Sequence, residues 1–128
     1  MPSTSNPSQA KASRSDRHLT LFLAHAFSQP MRLVGQSEAS LSSYSVFWCV
    51  ASHEGRTQVE VARETGLSAK TVSRVISHLG TARNGLGWIK QEADEDDRRV
   101  RRLFLSRRGK SLHARMLKDI RKIANALA

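Results

Sequence analysis

After residue 15 the chain moves from one clear periodicity to the next. Leu19, Phe22, Leu23, Ala26 and Phe27 recur at i, i+3, i+4, i+7 and i+8, the stripe of an amphipathic helix that Asp16 can cap and that Pro30 ends or kinks. The Ser-rich stretch Gln36–Ser43 reads as a linker, with Ser42 or Ser43 as N-cap of a second helix carrying Val46, Phe47, Val50 and Ala51 on its apolar face. The polar run Ser52–Arg56 ends that helix. A short third helix over about Gln58–Thr65 leads into Gly66, and a fourth over about Ser68–Leu79 is capped by Ser68. Trp88–Gln91 and Val100–Leu105 then read as two short strands, joined by a tip, Ala93–Arg98, that is wholly polar after Ala93. Ser106 caps a last helix with Leu112, Met116, Leu117, Ile120, Ile123 and Leu127 on one face. No internal repeat is present. The predicted order is α-α-α-α-β-β-α: a mainly α fold with a β-hairpin wing (α+β), a winged helix-turn-helix.

The helix-turn-helix prediction rests on Gln58–Ser77. Two helices meet steeply through a tight turn only if a small residue lies where they cross, and Ala62 fills that place. The turn must accept a positive φ, which Gly66 does without steric cost. Apolar residues must lock the pair, and Val61, Leu67, Val72 and Val75 are placed to do so. Projected at 100° per residue, Val72, Val75, Ile76 and Leu79 face inward. Lys70, Ser73, Arg74 and Ser77 face the opposite way, with Thr71 and His78 on a flank. No acid occurs between Glu64 and Glu92, whereas an ordinary solvated helix face mixes Glu with Lys. Short hydroxyls allow close approach of backbones and Arg can bind guanine bidentately, so this face has the chemistry of a major-groove reader.

The hairpin tip is Asp94-Glu95-Asp96-Asp97-Arg98-Arg99, followed by Arg101 and Arg102. A wing that enters a narrow minor groove needs a protruding Arg, because the groove concentrates negative potential. Asp97 lies two residues before Arg99, on the same face of an extended chain, and can hold that guanidinium. Ser77 on the helix and Arg98 at the tip complete the candidate set. The opposing reading is a self-neutralised loop, since four acids near the tip repel phosphate.

Composition narrows the partners. At 128 residues and 39% hydrophobic, the chain suffices for one compact core. We therefore expect a disordered basic, Ser-rich arm over 1–15 and a single domain over 16–128 whose terminal helices dimerise. Twenty-one Lys and Arg against eleven Asp and Glu give a formal charge of +10, which attracts polyanions, nucleic acid foremost. No apolar run approaches the roughly 18–20 residues of a membrane span, and Met1–Arg17 lacks the apolar core of a secretory signal. A single cysteine excludes an intramolecular disulfide and points to a reducing, cytoplasmic setting.

With these residues in place the chain resembles the MarR family of winged-helix regulators. The resemblance is carried by Val59-Glu60-Val61-Ala62, Gly66-Leu67-Ser68, Thr71-Val72-Ser73-Arg74, and Asp97-Arg98-Arg99 with Leu105-Ser106 and Gly109, over about Ser42–Lys110. It implies a bacterial or mobile-element repressor that binds a pseudopalindromic double-stranded DNA site as a homodimer. Ser68, Lys70, Thr71, Ser73 and Arg74 would then enter the major groove, and Arg99, oriented by Asp97, the minor groove. The chain departs from the family pattern in three places. Gly87-Trp88-Ile89-Lys90-Gln91 follows an extra loop, Gly80–Leu86; Gln91 stands where the family has Arg; and one terminal helix replaces the usual two.

Catalytic chemistry is not expected. His18, His25, His53, His78 and His113 show no metal-site spacing with each other or with Cys49, and Asp94–Asp97 lacks the alternating ligands and turn glycine of a calcium loop. No phosphate-cradling glycine loop, nucleophile motif or paired carboxylates stand out, so neither cofactor nor metal is expected. Cys49, among Phe47, Trp48 and Val50, reads as a buried, inert thiol. The sequence identifies no small-molecule inducer. The alternative function is a winged-helix protein-interaction module, which would show aromatic or aliphatic anchors on the outward helix face. RNA binding would call for aromatic stacking platforms, and only 5% of the residues are aromatic.

Overall fold

The computed structural model describes residues 16–26, 40–82 and 84–127. The arm over 1–15, Phe27, Pro30 and the first half of the Ser-rich linker, 36–39, lie outside the described residues. Contacts divide the chain into two compact units: residues 38–115, and residues 1–37 together with 116–128.

In the second of these units, helix α1 covers residues 16–26. Ala26 is buried and Phe22 half-buried, but Leu19 and Leu23, members of the predicted stripe, are 59% and 45% exposed.

The larger unit runs α2 (Leu41–Ser52), β1 (Arg56–Thr57), α3 (Gln58–Thr65), α4 (Ala69–Leu79), β2 (Ile89–Ala93), β3 (Arg101–Leu105) and the start of α5 (Arg107–Leu127). The winged helix-turn-helix expected from the pattern is present, with one strand the pattern did not contain. β1 pairs antiparallel with β3, which pairs antiparallel with β2, giving a three-stranded sheet in the order β1-β3-β2. Two polar residues, Arg56 and Thr57, make up β1, so no hydrophobic alternation marks it; it exists because β3 offers a free edge.

The element ends follow local chemistry. The N-cap of α2 is Ser40, whose Oγ accepts the Ser43 N–H at 3.1 Å, not Ser42 or Ser43 as expected. Three of the four residues Ser40–Ser43 are serines, and Leu41 at the helix start is 74% exposed, so periodicity could not choose among them. Thr57 and Glu60 form a reciprocal capping box on α3, the Thr57 hydroxyl accepting the Glu60 N–H and the Glu60 carboxylate accepting the Thr57 N–H. Gly66 ends α3 at φ 75°, its N–H donating to the Ala62 carbonyl. β2 begins one residue later than predicted and runs on to Ala93, while Val100 belongs to the tip rather than to β3.

The core of this unit draws on every layer: Val46, Phe47 and Val50 from α2, Val61 from α3, Val72, Val75, Ile76 and Leu79 from α4, Ile89, Leu103 and Leu105 from the sheet, and Leu112 from α5. The segment Leu86–Trp88 folds back as a cap on α4. The Leu86 and Trp88 N–H groups donate to the His78 and Leu79 carbonyls, and the Gly87 N–H to that of Gly80, satisfying groups a helix end otherwise leaves open. The Trp88 carbonyl then accepts the Ser106 N–H, and Gly109 packs so tightly on it that an added Cβ would overlap the oxygen. Ser106 caps α5 as expected, accepting the Gly109 N–H while donating to the Gly87 carbonyl.

Candidate nucleic-acid interface

α4 is strongly two-sided. Its four buried residues anchor it, and Lys70, Ser73, Arg74 and Ser77, at i, i+3, i+4 and i+7, emerge together on the exposed side as expected. His78 is exposed beside them, and no carboxylate lies on the helix. Ser68 and Thr71 are less free. Ser68 Oγ accepts the Thr71 N–H at 3.1 Å and donates to Thr71 Oγ1 at 2.9 Å, and Thr71 is half-buried. Both hydroxyls thus serve the cap first; the Thr71 proton remains available to an outside acceptor. Thr71, Arg74 and His78 also line, with Ser40, Ser42 and Ser43, a cleft of about 310 Å³ beside the start of α2. His78 and these serines were absent from the sequence-derived candidates, although His78 lay on the flank of the projected face.

The wing tip is built around its acids. The Asp94 N–H donates to the Val100 carbonyl and the Val100 N–H to that of Asp97, closing the loop. Asp94 Oδ2 accepts the N–H groups of Asp96 and Asp97, both at 3.1 Å, while its Oδ1 accepts Arg102 Nε at 2.6 Å. That guanidinium, followed by the two backbone N–H bonds, holds the Asp94 carboxyl below the usual carboxylate range. Asp97 and Arg99 meet as expected, but across a turn rather than along one face of an extended strand: Nε to Oδ1 is 3.2 Å, Nη2 to Oδ2 is 3.4 Å, and the Arg99 N–H reaches the same Oδ1 at 3.1 Å. The Arg99 side chain is nevertheless 91% exposed, and Arg98 is exposed beside it. Two of the four acids that weighed against DNA are therefore engaged in shaping the loop; Glu95 and Asp96 stay exposed. An open groove of about 410 Å³, lined by Thr57, Gln58, Val59, Arg99, Val100 and Arg101, separates the start of α3 from the wing.

Cys49 departs from expectation. It is half-buried, and its neighbours in space are polar: Arg56 Nη1 lies 3.3 Å from Sγ, and the thiol donates to Glu64 Oε2 at 3.5 Å. Arg56 and Glu64 pair at 2.6 Å. Burial, then the Glu64 carboxylate, push the thiol pKa up against the opposing pull of Arg56. Neither neighbour adjoins Cys49 in sequence, so local context hid both.

Among the described residues no group of three or more His, Cys, Asp or Glu could hold a metal ion, and no helix is long and apolar enough to cross a membrane.

Helix-turn-helix, three-stranded sheet and protruding hairpin define a winged-helix fold. No protein-family model and no curated protein matches the chain. Solved structures do. A transcriptional regulator, Tm0710 from Thermotoga maritima, is similar with a TM-score of 0.70 at 13% identity, over 90% of this chain and 78% of its own. A MarR-family transcriptional regulator from Silicibacter pomeroyi gives 0.63 at 16% identity, over 94% and 75%. The transcriptional repressor CouR, bound to a 23-mer DNA duplex, gives 0.57 at 21% identity, over 90% and 72%. The chain has the winged-helix fold of MarR-type regulators.

Proposed function

We propose that this protein is a sequence-specific double-stranded-DNA-binding transcriptional regulator, a cytoplasmic repressor acting as a homodimer and not an enzyme. α4 enters the major groove through Lys70, Ser73, Arg74 and Ser77, with Ser68 and Thr71 at its N-terminal end meeting the groove edge. The wing lays Arg99 into the minor groove, held by Asp97, with Arg98 at its flank. The observation that carries this reading is the outward face of α4: exposed, basic and hydroxyl-rich, with no acid on the helix. It stands in a fold that, in CouR, has been seen on a DNA duplex. The formal charge of +10 supports the same partner. Apart from Ala69, the exposed positions of α4 hold no apolar side chain, so a protein-docking role for this face has no anchor.

Selection from a pool of genomic fragments, followed by footprinting, tests the proposal. The expected result is a short enriched site protected as two half-sites about 10 bp apart, the spacing of successive major grooves on one side of the duplex. A pool that fails to enrich any sequence would overturn it.

A further inference from the structure

Four arginines, Arg98, Arg99, Arg101 and Arg102, lie in the wing, and they are not equivalent. Three are exposed. Arg102 is half-buried, its side chain 41% exposed, and both ends of its guanidinium are used: Nε donates to Asp94 Oδ1 at 2.6 Å and Nη1 to the Gly55 carbonyl at 2.8 Å. Gly55 is itself fixed, its N–H donating to the Leu103 carbonyl in the turn that precedes β1 and α3. At the other end, the second oxygen of Asp94 gathers the Asp96 and Asp97 N–H groups, and Asp97 grips Arg99. An unbroken path of polar contacts thus runs from the entrance of the helix-turn-helix to the tip arginine.

We propose that Arg102 and Asp94 form a positioning clamp that ties the wing tip to the turn before α3 and so sets where Arg99 meets the minor groove. The clamp rests on the DNA-binding reading above. Two simpler roles fit less well. As a phosphate contact, Arg102 is the least available of the four, since two of its three guanidinium nitrogens already donate to Asp94 and Gly55. As plain electrostatics, Asp94 would only weaken binding to a polyanion, and a regulator would do better without it. A bridging role accounts for both residues. It also accounts for the residue type, since one ammonium cannot reach a carboxylate and a carbonyl on opposite sides as a planar guanidinium does.

The test measures affinity for the selected duplex by fluorescence anisotropy at one salt concentration, with Arg102→Lys, Asp94→Asn, Arg99→Ala and the double variant Arg102→Lys/Arg99→Ala. Backbone amide exchange of Asp96, Asp97 and Val100 is measured in the DNA-free proteins. Arg102→Lys, which keeps the charge, is expected to weaken binding about tenfold, the scale of coupling between residues of one network. Asp94→Asn is expected to weaken binding although it removes a negative charge. The double variant should bind no worse than Arg99→Ala alone, because the clamp acts through Arg99. The Asp96 and Asp97 amides should exchange faster in Arg102→Lys than in wild type. The proposal is overturned if Arg102→Lys binds like wild type, if Asp94→Asn binds more tightly, or if the two losses simply multiply. Should wild type prefer no duplex, the DNA-binding reading fails, and amide exchange alone decides the clamp: faster exchange in Arg102→Lys upholds it, unchanged exchange refutes it.

Discussion

Arg74→Ala separates function from stability. Arg74 sits in the middle of the outward face of α4, one turn from Lys70 and one from Ser77, is exposed, and forms no ion pair among the described residues. Its removal opens no cavity, and alanine is at least as good a helix former, so unfolding free energy should stay within about 0.5 kcal/mol of wild type. Binding should respond differently. If the guanidinium reads a base, about 1–3 kcal/mol is lost at one position of the site, roughly 5- to 150-fold in affinity. If it contacts phosphate, all sequences weaken together and the salt slope falls by about 0.9. Anisotropy on the selected duplex and its single-base-pair variants, paired with thermal melts, distinguishes these results. Base reading predicts an unchanged melt and flattened discrimination at a single base pair. A lowered melting temperature, or affinity within twofold of wild type on every duplex, would refute the assignment of this face.

Three further outcomes follow from particular contacts. Gly109→Ala normally gains close to 1 kcal/mol inside a helix, but here the new Cβ meets the Trp88 carbonyl, so the sign should reverse; urea denaturation showing a more stable variant would refute that close approach. Because burial and Glu64 raise the Cys49 pKa, alkylation near pH 7 should be slower than that of a model thiol and accelerate only above the ordinary thiol range of about 8.5, whereas rapid labelling at neutral pH would contradict it. Asp94 is held below its ordinary value, so the folded state binds its proton more weakly than the unfolded chain. Its contribution to stability is therefore full above about pH 4 and lost as pH falls through its lowered pKa, which a carboxyl titration followed by nuclear magnetic resonance would detect as a midpoint below that of a model aspartate.

How far the sequence reached depended on the range of the interaction. The two-sidedness of α4, the Ser68 cap, the left-handed Gly66 and the Asp97–Arg99 pair each depend on residues within one or two turns of each other, and each was legible. β1 was not, because Arg56 and Thr57 become a strand only by pairing with Leu103 and Arg102, about 46 positions away. The Asp94–Arg102 pair spans the hairpin, so it needed the register that sets Ala93 opposite Arg101. With that register unknown, Asp94 looked like one of four acids hostile to phosphate. Loop 80–86 reads as a departure from the family pattern, yet Leu86, at its end, and the following Gly87 and Trp88 cap the carbonyls at the end of α4.

On the proposed reading, this surface reads DNA sequence with an arginine on each of two elements. The most direct test of that reading is anisotropy on the selected duplex and a scrambled one across a salt series, with wild type and Arg99→Ala. The expected result is tighter binding to the selected duplex, log affinity falling linearly with log salt at a slope near −0.9 per phosphate contact, and a weaker Arg99→Ala complex. Equal, weak binding to both duplexes that is indifferent to Arg99 would contradict it.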